Sequence, residues 1–424
     1  MAVTQSFDPA RRAAAALLAA VTDEGRNLET ALETVRSYQP LAGRDRAFAR
    51  AMASAALRHL GRIDAVLARF MNRPLEAGAE TPRAILRTGA AQILALNTAP
   101  HAAVSAAVDL ANSARSAQPF AKLINAVLRK VAGEGKDHFA SLPAGANLPD
   151  WLFTRWRAAY GDETAEAIAK ALSAEPPLDL RAKPSASLPP EARPGPFGAG
   201  RLDAGADVTA LEGFADGAWW VQDAAAGLPA MLLGDVAGKS VLDLCAAPGG
   251  KTMQLAAAGA RVTAVDWDET RLARVRANLE RTKLHAEIVA ADILAWTPPA
   301  LADAVLLDAP CTATGTLRRR PDVAWLRRPS DIEALAERQK QLLARAATFL
   351  KPGGVLVYAV CSLEPEEGDS VALHAPPELI PEPMASTDGL ETHVTPQGWL
   401  RTLPSSRAAD GGMDGFFAAR FRKA

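Results

Sequence analysis

From Lys239 onward, short β-branched runs alternate with helical segments, and that alternation calls for βαβ units around a parallel sheet. The runs Ser240 to Leu244, Arg261 to Asp266, Ala286 to Ala290, Ala304 to Leu307 and Val355 to Val360 are the expected strands. In a doubly wound sheet of this kind ligands sit beyond the carboxyl ends of the strands, so the chemistry is sought in the residues that follow these runs. The first 135 residues are different. They are rich in Ala, Leu and Arg, with apolar positions every three or four residues, which predicts an all-α domain. Asp8-Pro9 supplies an N-cap and a first-turn proline. Further helices are expected over Ala42 to about Met71, Thr81 to Asn97, Pro100 to Ser113 and Gln118 to Val131. Pro and Gly become frequent between Ser141 and Asp203, although Asp150 to Ala174 still reads as helical and Leu178 to Lys183 as a strand. The expected division is a helical domain over 1–135, a connector and N-terminal extension over 136–215, and an α/β Rossmann-like domain over 216–424.

Composition narrows the function classes. The 424 residues, 49% hydrophobic and 22% charged, contain no apolar run near the roughly 20 residues of a membrane span, so a cytoplasmic protein is expected. The three cysteines, Cys245, Cys311 and Cys361, have no CxxC spacing, and the six histidines stand at no metal-ligand interval. Neither a disulfide framework nor a metal site is implied. The net charge of −1 conceals an uneven distribution, because residues 1 to 150 carry 18 Lys+Arg against 13 Asp+Glu. A mildly basic N-terminal part suits a polyanion.

The segment Val241 to Thr252 is a strand, a turn of small residues and a helix start. Small side chains let a ligand approach the backbone, and the amides of a helix N-terminus are free to donate. A P-loop would need glycine at position 245, where the chain has cysteine, and the dinucleotide GxGxxG pattern is also absent. Asp266 closes the second strand about twenty residues after the turn, where an acid typically accepts from a ribose hydroxyl. Asp292 follows the third strand, placed to meet an adenine amino group. Acids at successive strand ends fit an adenosine-bearing methyl donor, S-adenosyl-L-methionine.

Two cysteines also follow strand ends. The fourth strand leads into Asp308-Ala309-Pro310-Cys311 and the fifth into Cys361-Ser362. Neighbouring strands would bring both thiols to one rim, beside Asp or Ser and outside any apolar run, a setting that favours a reactive thiolate. Carbon 5 of a pyrimidine is a poor nucleophile, so an enzyme that methylates it adds a thiolate at carbon 6 to create an enamine. Asp308 could then stabilise the ring nitrogen as charge develops there, a role calling for a carboxyl group of raised pKa. Cys245, between Leu244 and Ala246, reads as part of the cofactor turn. The residues alone do not choose between Cys311 and Cys361 as nucleophile.

At these residues the sequence resembles the RsmB/Sun family of RNA 5-methylcytosine methyltransferases, whose bacterial members act on small-subunit ribosomal RNA. The likeness covers the turn Cys245 to Lys251, Asp266, Arg271, Asp292, Asp308 to Cys311, Arg338-Gln339, Cys361-Ser362 and the closing Asp414-Gly415-Phe416-Phe417. It implies a class I S-adenosylmethionine-dependent methyltransferase domain preceded by a NusB-like helical RNA-binding domain. It further implies that Cys361 is the nucleophile and that Cys311 assists product release. By the same transfer, Cys245, Ala246, Ala247, Pro248, Gly249, Gly250, Lys251, Asp266, Arg271, Asp292 and Asp308 line the cofactor. Val360 stands where the family usually has Thr, and Thr312-Ala313 where it has Ser-Gly.

The stretch after Cys311 carries Arg318, Arg319, Arg320, Trp325 and Arg327, read here as an RNA contact in which arginines bind phosphates and the indole stacks on a base. The expected partner is RNA, taken up as a single-stranded or flipped-out base by a monomer without an obligate protein partner. Two other readings share parts of this pattern. A DNA cytosine methyltransferase would be expected to carry a separate target-recognition domain, and none is evident. A non-catalytic RNA-binding or assembly protein would not need both cysteines and the cofactor acids.

Overall fold

The computed structural model describes residues 8–384 and 390–424, which form two compact units. The first is helical. Its opening helix Pro9–Thr22 is capped as expected, with Asp8 accepting from the Arg11 amide at 3.1 Å and Pro9 in the first turn. Helix Pro100–Ser113 has the expected bounds. The continuous helix expected from Ala42 to Met71 is instead two, Gly43–Arg58 and Leu60–Phe70, broken at His59. Tertiary contact explains the break. The Gly61 backbone lies so close to the 144–147 turn that a Cβ there would fall 2.0 Å from the Ala146 carbonyl oxygen.

That contact also moves the domain boundary. Helices Asp150–Tyr160 and Asp162–Leu172, grouped with the connector on sequence grounds, belong to the helical unit, which runs to Ser173. Arg58 Nη1 donates to the Leu172 carbonyl at 3.2 Å, and Asn147 donates to the Ser173 hydroxyl at 2.9 Å. The chain later returns to this unit with Arg320–Arg327. There Trp325 and Leu326 pack against the helical core, Trp325 Nε1 donates to the Leu57 carbonyl at 3.1 Å, and Asp322 accepts from the Leu28 amide at 3.0 Å.

The second unit holds two sheets. A small antiparallel sheet joins Arg193–Pro194, Gly200–Leu202, Leu178–Ala182 and Trp219–Val221 in that order. The large sheet comprises β1 (Ser240–Leu244), β2 (Arg261–Asp266), β3 (Glu287–Ala290), β4 (Ala302–Asp308), β5 (Leu350–Val360), β6 (Leu379–Pro381), β7 (Leu400–Thr402) and β8 (Phe416–Lys423). Its order is β6-β8-β5-β4-β1-β2-β3, with β7 also pairing to β8. The five expected strands form the parallel part, and β8 adds to it antiparallel along β5. Because the chain runs outward from β1 through β2 and β3 and then resumes on the other side with β4, the β1/β4 boundary is the topological switch point where a ligand crevice opens. The strands read as near-continuous apolar runs because both faces are covered; Val305, Leu306, Leu307, Val357 and Tyr358 are all buried.

A buried ion pair within the small sheet also reaches the loop before β8. Arg201, fully buried, donates to both carboxylate oxygens of Asp179 at 2.6 and 2.8 Å and to the Gly412 carbonyl at 2.9 Å. Removing one member of such a pair leaves the other charge buried without its partner. Arg201→Met is therefore expected to lower the stability of the full chain by about 3–5 kcal/mol in a denaturant melt; an unchanged midpoint would mean the pair contributes nothing to this junction.

Candidate active site

Five elements of the second unit converge on the carboxyl ends of β1, β4 and β5. The turn after β1 is shaped by two residues in the left-handed region, Cys245 at φ 62° and Gly249 at φ 99°, before helix Gly250–Ala257 begins. Asp266, buried at the end of β2, accepts from the Ala247 amide at 3.1 Å, while Arg271 Nη2 donates to the Ala247 carbonyl at 2.8 Å. The turn is thus held by the same acid and arginine that the sequence suggested for the cofactor. Burial and the acids Asp266, Asp308 and Asp243 push the Cys245 thiol up, which suits a turn residue and not a nucleophile.

Across the switch point, Lys251 Nζ donates to Asp308 Oδ2 at 2.7 Å and stands 5.1 Å from the centre of the Phe416 ring. Burial is the largest influence on Lys251 and pushes it down, but Asp308, Cys361 and Asp243 together make the net shift upward. Asp308, expected to face the base, has Lys251 as a direct partner and keeps 28% of its side chain exposed. Asp292, half exposed, is 3.4 Å from Arg338 Nη2.

The thiols meet. Cys311 Sγ and Cys361 Sγ lie 3.5 Å apart, because the parallel register places Asp308 beside Ala359 and each cysteine follows within three residues. Their surroundings differ in sign. Cys311 is buried, and its hydrogen bond with Cys361, its burial and the nearby Glu367 carboxylate push its thiol well up. Cys361 is more exposed and lies within coulombic reach of Lys251 and Arg319.

The expected RNA-contact arginines divide. Arg318 is buried, donating to Asp223 at 3.2 Å and to the Gly411 carbonyl at 2.6 Å, so its guanidinium is committed inside the protein. Trp325 is likewise committed to the helical core, by the contacts given above, and is not a free stacking platform. Arg319 keeps 37% of its side chain exposed while pairing with Asp414. Arg320 is exposed and Arg327 half-buried.

Sequence reasoning missed several groups. Glu367 is buried and, with Gln339, which the resemblance names without a role, holds the loops that carry the thiols. Glu367 lies in a Pro-Glu-Glu run that reads as solvated loop, so nothing local marked it. The close packing of Gly315 on Gly415 was also not foreseen: Gly415 donates to the Gly315 carbonyl at 2.8 Å, and a Cβ on Gly315 would fall 2.0 Å from the Gly415 oxygen.

The family model for 16S rRNA methyltransferase RsmB/F matches residues 230–422. Ribosomal RNA small subunit methyltransferase B of Cronobacter sakazakii (strain ATCC BAA-894) is 36% identical over 434 residues, covering 97% of this chain and 98% of that protein. The chain belongs to the RsmB/F methyltransferase family. The protein of the same name from Salmonella arizonae is 35% identical over the same shares. The NusB family model matches residues 8–133, and a ferredoxin-like domain model of RsmF/B-like methyltransferases matches 148–186, across the junction of the two units. Among solved structures, PH0851 superposes with a TM-score of 0.75 at 22% identity, covering 97% of this chain and 99% of its own, a likeness of fold. A methyltransferase homolog from Pyrococcus horikoshii gives 0.53 at 28% identity, covering 65% of this chain and 96% of its own.

S-adenosylmethionine is the cofactor of this family, and the residues at the switch point fit it. The turn is a small-residue cradle that leads into the N-terminus of helix Gly250–Ala257, and Asp266 closes the neighbouring strand β2, where an acid can accept from a ribose hydroxyl. Trp267, immediately after Asp266, is 72% exposed, an uncovered apolar ring that a bound adenosine would shield. Titration with S-adenosylhomocysteine should change the tryptophan emission, and the change should be lost in Trp267→Ala; equal responses would place the adenosine elsewhere. Beneath the turn, Asp243 is fully buried and accepts from Thr252 Oγ1 at 2.6 Å. Burial raises its pKa from 3.8 to about 7 against the opposing Thr252 bond. Folded protein therefore holds a proton that the unfolded chain releases, and this contribution to stability is present at low pH and lost as pH rises through about 7. Relative to Asp243→Asn, the wild-type chain should lose roughly 2–4 kcal/mol of unfolding free energy between about pH 4 and about pH 8. A constant difference in paired melts would mean that Asp243 is already ionised in the acid range.

Proposed function

We propose that this protein methylates carbon 5 of a cytosine in small-subunit ribosomal RNA, through a covalent adduct on Cys361. The observation that carries the reading is the pair of sulfurs 3.5 Å apart at the carboxyl ends of β4 and β5, beside the cofactor turn and set in surroundings of opposite sign.

Bound S-adenosylmethionine supplies an electrophilic methyl group. The chain's own residues make the base nucleophilic. Cys361 adds as thiolate to carbon 6 of the cytosine, and the electron pair displaced toward carbon 5 turns that atom into an enamine carbon. Lys251 and Arg319 lie within coulombic reach of that sulfur. Asp308, held by Lys251, accepts from the cytosine amino group and from the ring nitrogen once that nitrogen takes up a proton as carbon 6 is attacked. After methylation the carbon 5 proton must leave and the carbon–sulfur bond must break, and Cys311, hydrogen-bonded to Cys361, is the group placed to assist that release.

The small-subunit ribosomal RNA assignment draws on the Cronobacter and Salmonella relatives, each named for it. Arg319 and Arg320, the arginines of the expected patch with exposed side chains, are the proposed phosphate contacts. The target base is taken as a flipped or single-stranded nucleotide.

Cys361→Ser is expected to reduce methyl transfer from labelled cofactor to background. Cys311→Ser should leave a stable protein–RNA adduct on a denaturing gel. The opposite pattern would exchange the two roles, and bisulfite sequencing of ribosomal RNA from cells lacking the protein should show one cytosine newly converted.

A further inference from the structure

Each thiol is followed by a hydroxyl residue, and both hydroxyl residues are held by one buried carboxylate. Glu367, with no exposed surface, accepts from the Thr312 amide at 2.8 Å, from the hydroxyls of Thr312 and Ser362, and from Gln339 Nε2 at 3.0 Å. Thr312 is the residue after Cys311 and Ser362 the residue after Cys361. The two hydroxyl oxygens are themselves 3.1 Å apart. Gln339, from helix Pro329–Ala347, also donates to the Pro310 carbonyl at 2.8 Å, and the Glu367 backbone oxygen accepts from the Tyr358 hydroxyl. One side chain is thus bonded to the loop after β4, the loop after β5 and a helix behind both.

We propose that Glu367 is a positioning residue of the reaction: by pinning the residue next to each cysteine, it fixes the separation of the two sulfurs. Bringing a buried acid among apolar strands is costly unless every lone pair is met, and here four donors converge on it. A cluster meant only to stabilise the fold would be served as well by apolar packing of the same volume. Glu367 is bonded to Thr312 and Ser362, the residues beside the two cysteines, and also acts on Cys311 by charge. The inference rests on the two-thiol reading above for its link to methylation, but the geometric claim stands apart from it.

Diamide oxidation of the full-length protein separates the two, since coupling of Cys311 to Cys361 needs only their proximity and can be mapped by peptide mass. Wild type should couple readily. Glu367→Ala should couple at least about tenfold more slowly and lose kcat for methyl transfer by a similar factor, with KM for RNA and affinity for S-adenosylhomocysteine changed less than about twofold. Glu367→Gln, which keeps an acceptor and can donate to hydroxyls that turn around, should restore most of the coupling. Thr312→Val, which removes one donor without emptying the site, should fall between and covers the case in which the alanine variant does not fold. Coupling at the wild-type rate in folded Glu367→Ala or in Thr312→Val would overturn the proposal. Wild type that couples, with the variants slowed, but transfers no methyl group to RNA would instead refute the RNA reading while leaving the positioning role standing.

Discussion

Parallel pairing of β4 with β5 is the constraint on which the rest of the site depends. A parallel ladder brings equivalent ends of two strands to the same side, so loops far apart in sequence must emerge together. With Asp308 opposite Ala359, the residues that follow cannot avoid one another, and the two sulfurs meet as a consequence of register. A slip of one residue in β4 would turn Asp308 toward the other face of the sheet while β5 kept its own orientation. The buried strand β8, antiparallel along β5, locks that register from the far side and delivers Gly415 against Gly315 at the same rim.

Charge is what distinguishes the two sulfurs. The Cys361 side of the rim carries Lys251 and Arg319, each held by an acid, Asp308 and Asp414. The Cys311 side carries the Glu367 carboxylate and is closed to solvent. Behind the arginine, Asp223 and Asp414 share Arg318 and Arg319, and burial raises Asp414 to about 6 despite them. Such clusters are weak evidence for stability, since desolvation offsets most of the attraction. Their value here is directional: they hold cations on one side of a pair of chemically identical groups.

Much of this was legible in the sequence, and the reasons are local. Strands β1 and β2 have the expected bounds because each is a β-branched run closed by an acid or a small-residue turn. The cofactor turn was legible because small residues and a helix start are themselves the geometry. The edge strands β6 and β7 were not, being three residues each, too short to show a period. The close approach beside the break at His59 joins Gly61 to Ala146, 85 residues later, and Trp325 is seated against Leu57, 268 residues earlier. An arginine-rich run with a tryptophan carries the same pattern whether it faces solvent or plugs a core. The ion pair of Asp308 and the burial of Glu367 are equally nonlocal, since only the folded sheet decides which acids find cations and which find hydroxyls.

The return of Arg320–Arg327 to the helical unit has a consequence for how the chain is made. Trp325, Leu326 and Asp322 close against helices that leave the ribosome long before them, with the small sheet and four strands of the large one synthesised in between. The N-terminal helices therefore wait, with the Leu57 carbonyl and an apolar seat unfilled, until half the strands of the large sheet have been made. A fragment that stops at Ser173 lacks its own last piece, and completion of the helical unit is coupled in time to the emergence of the strand and loop that carry Cys311.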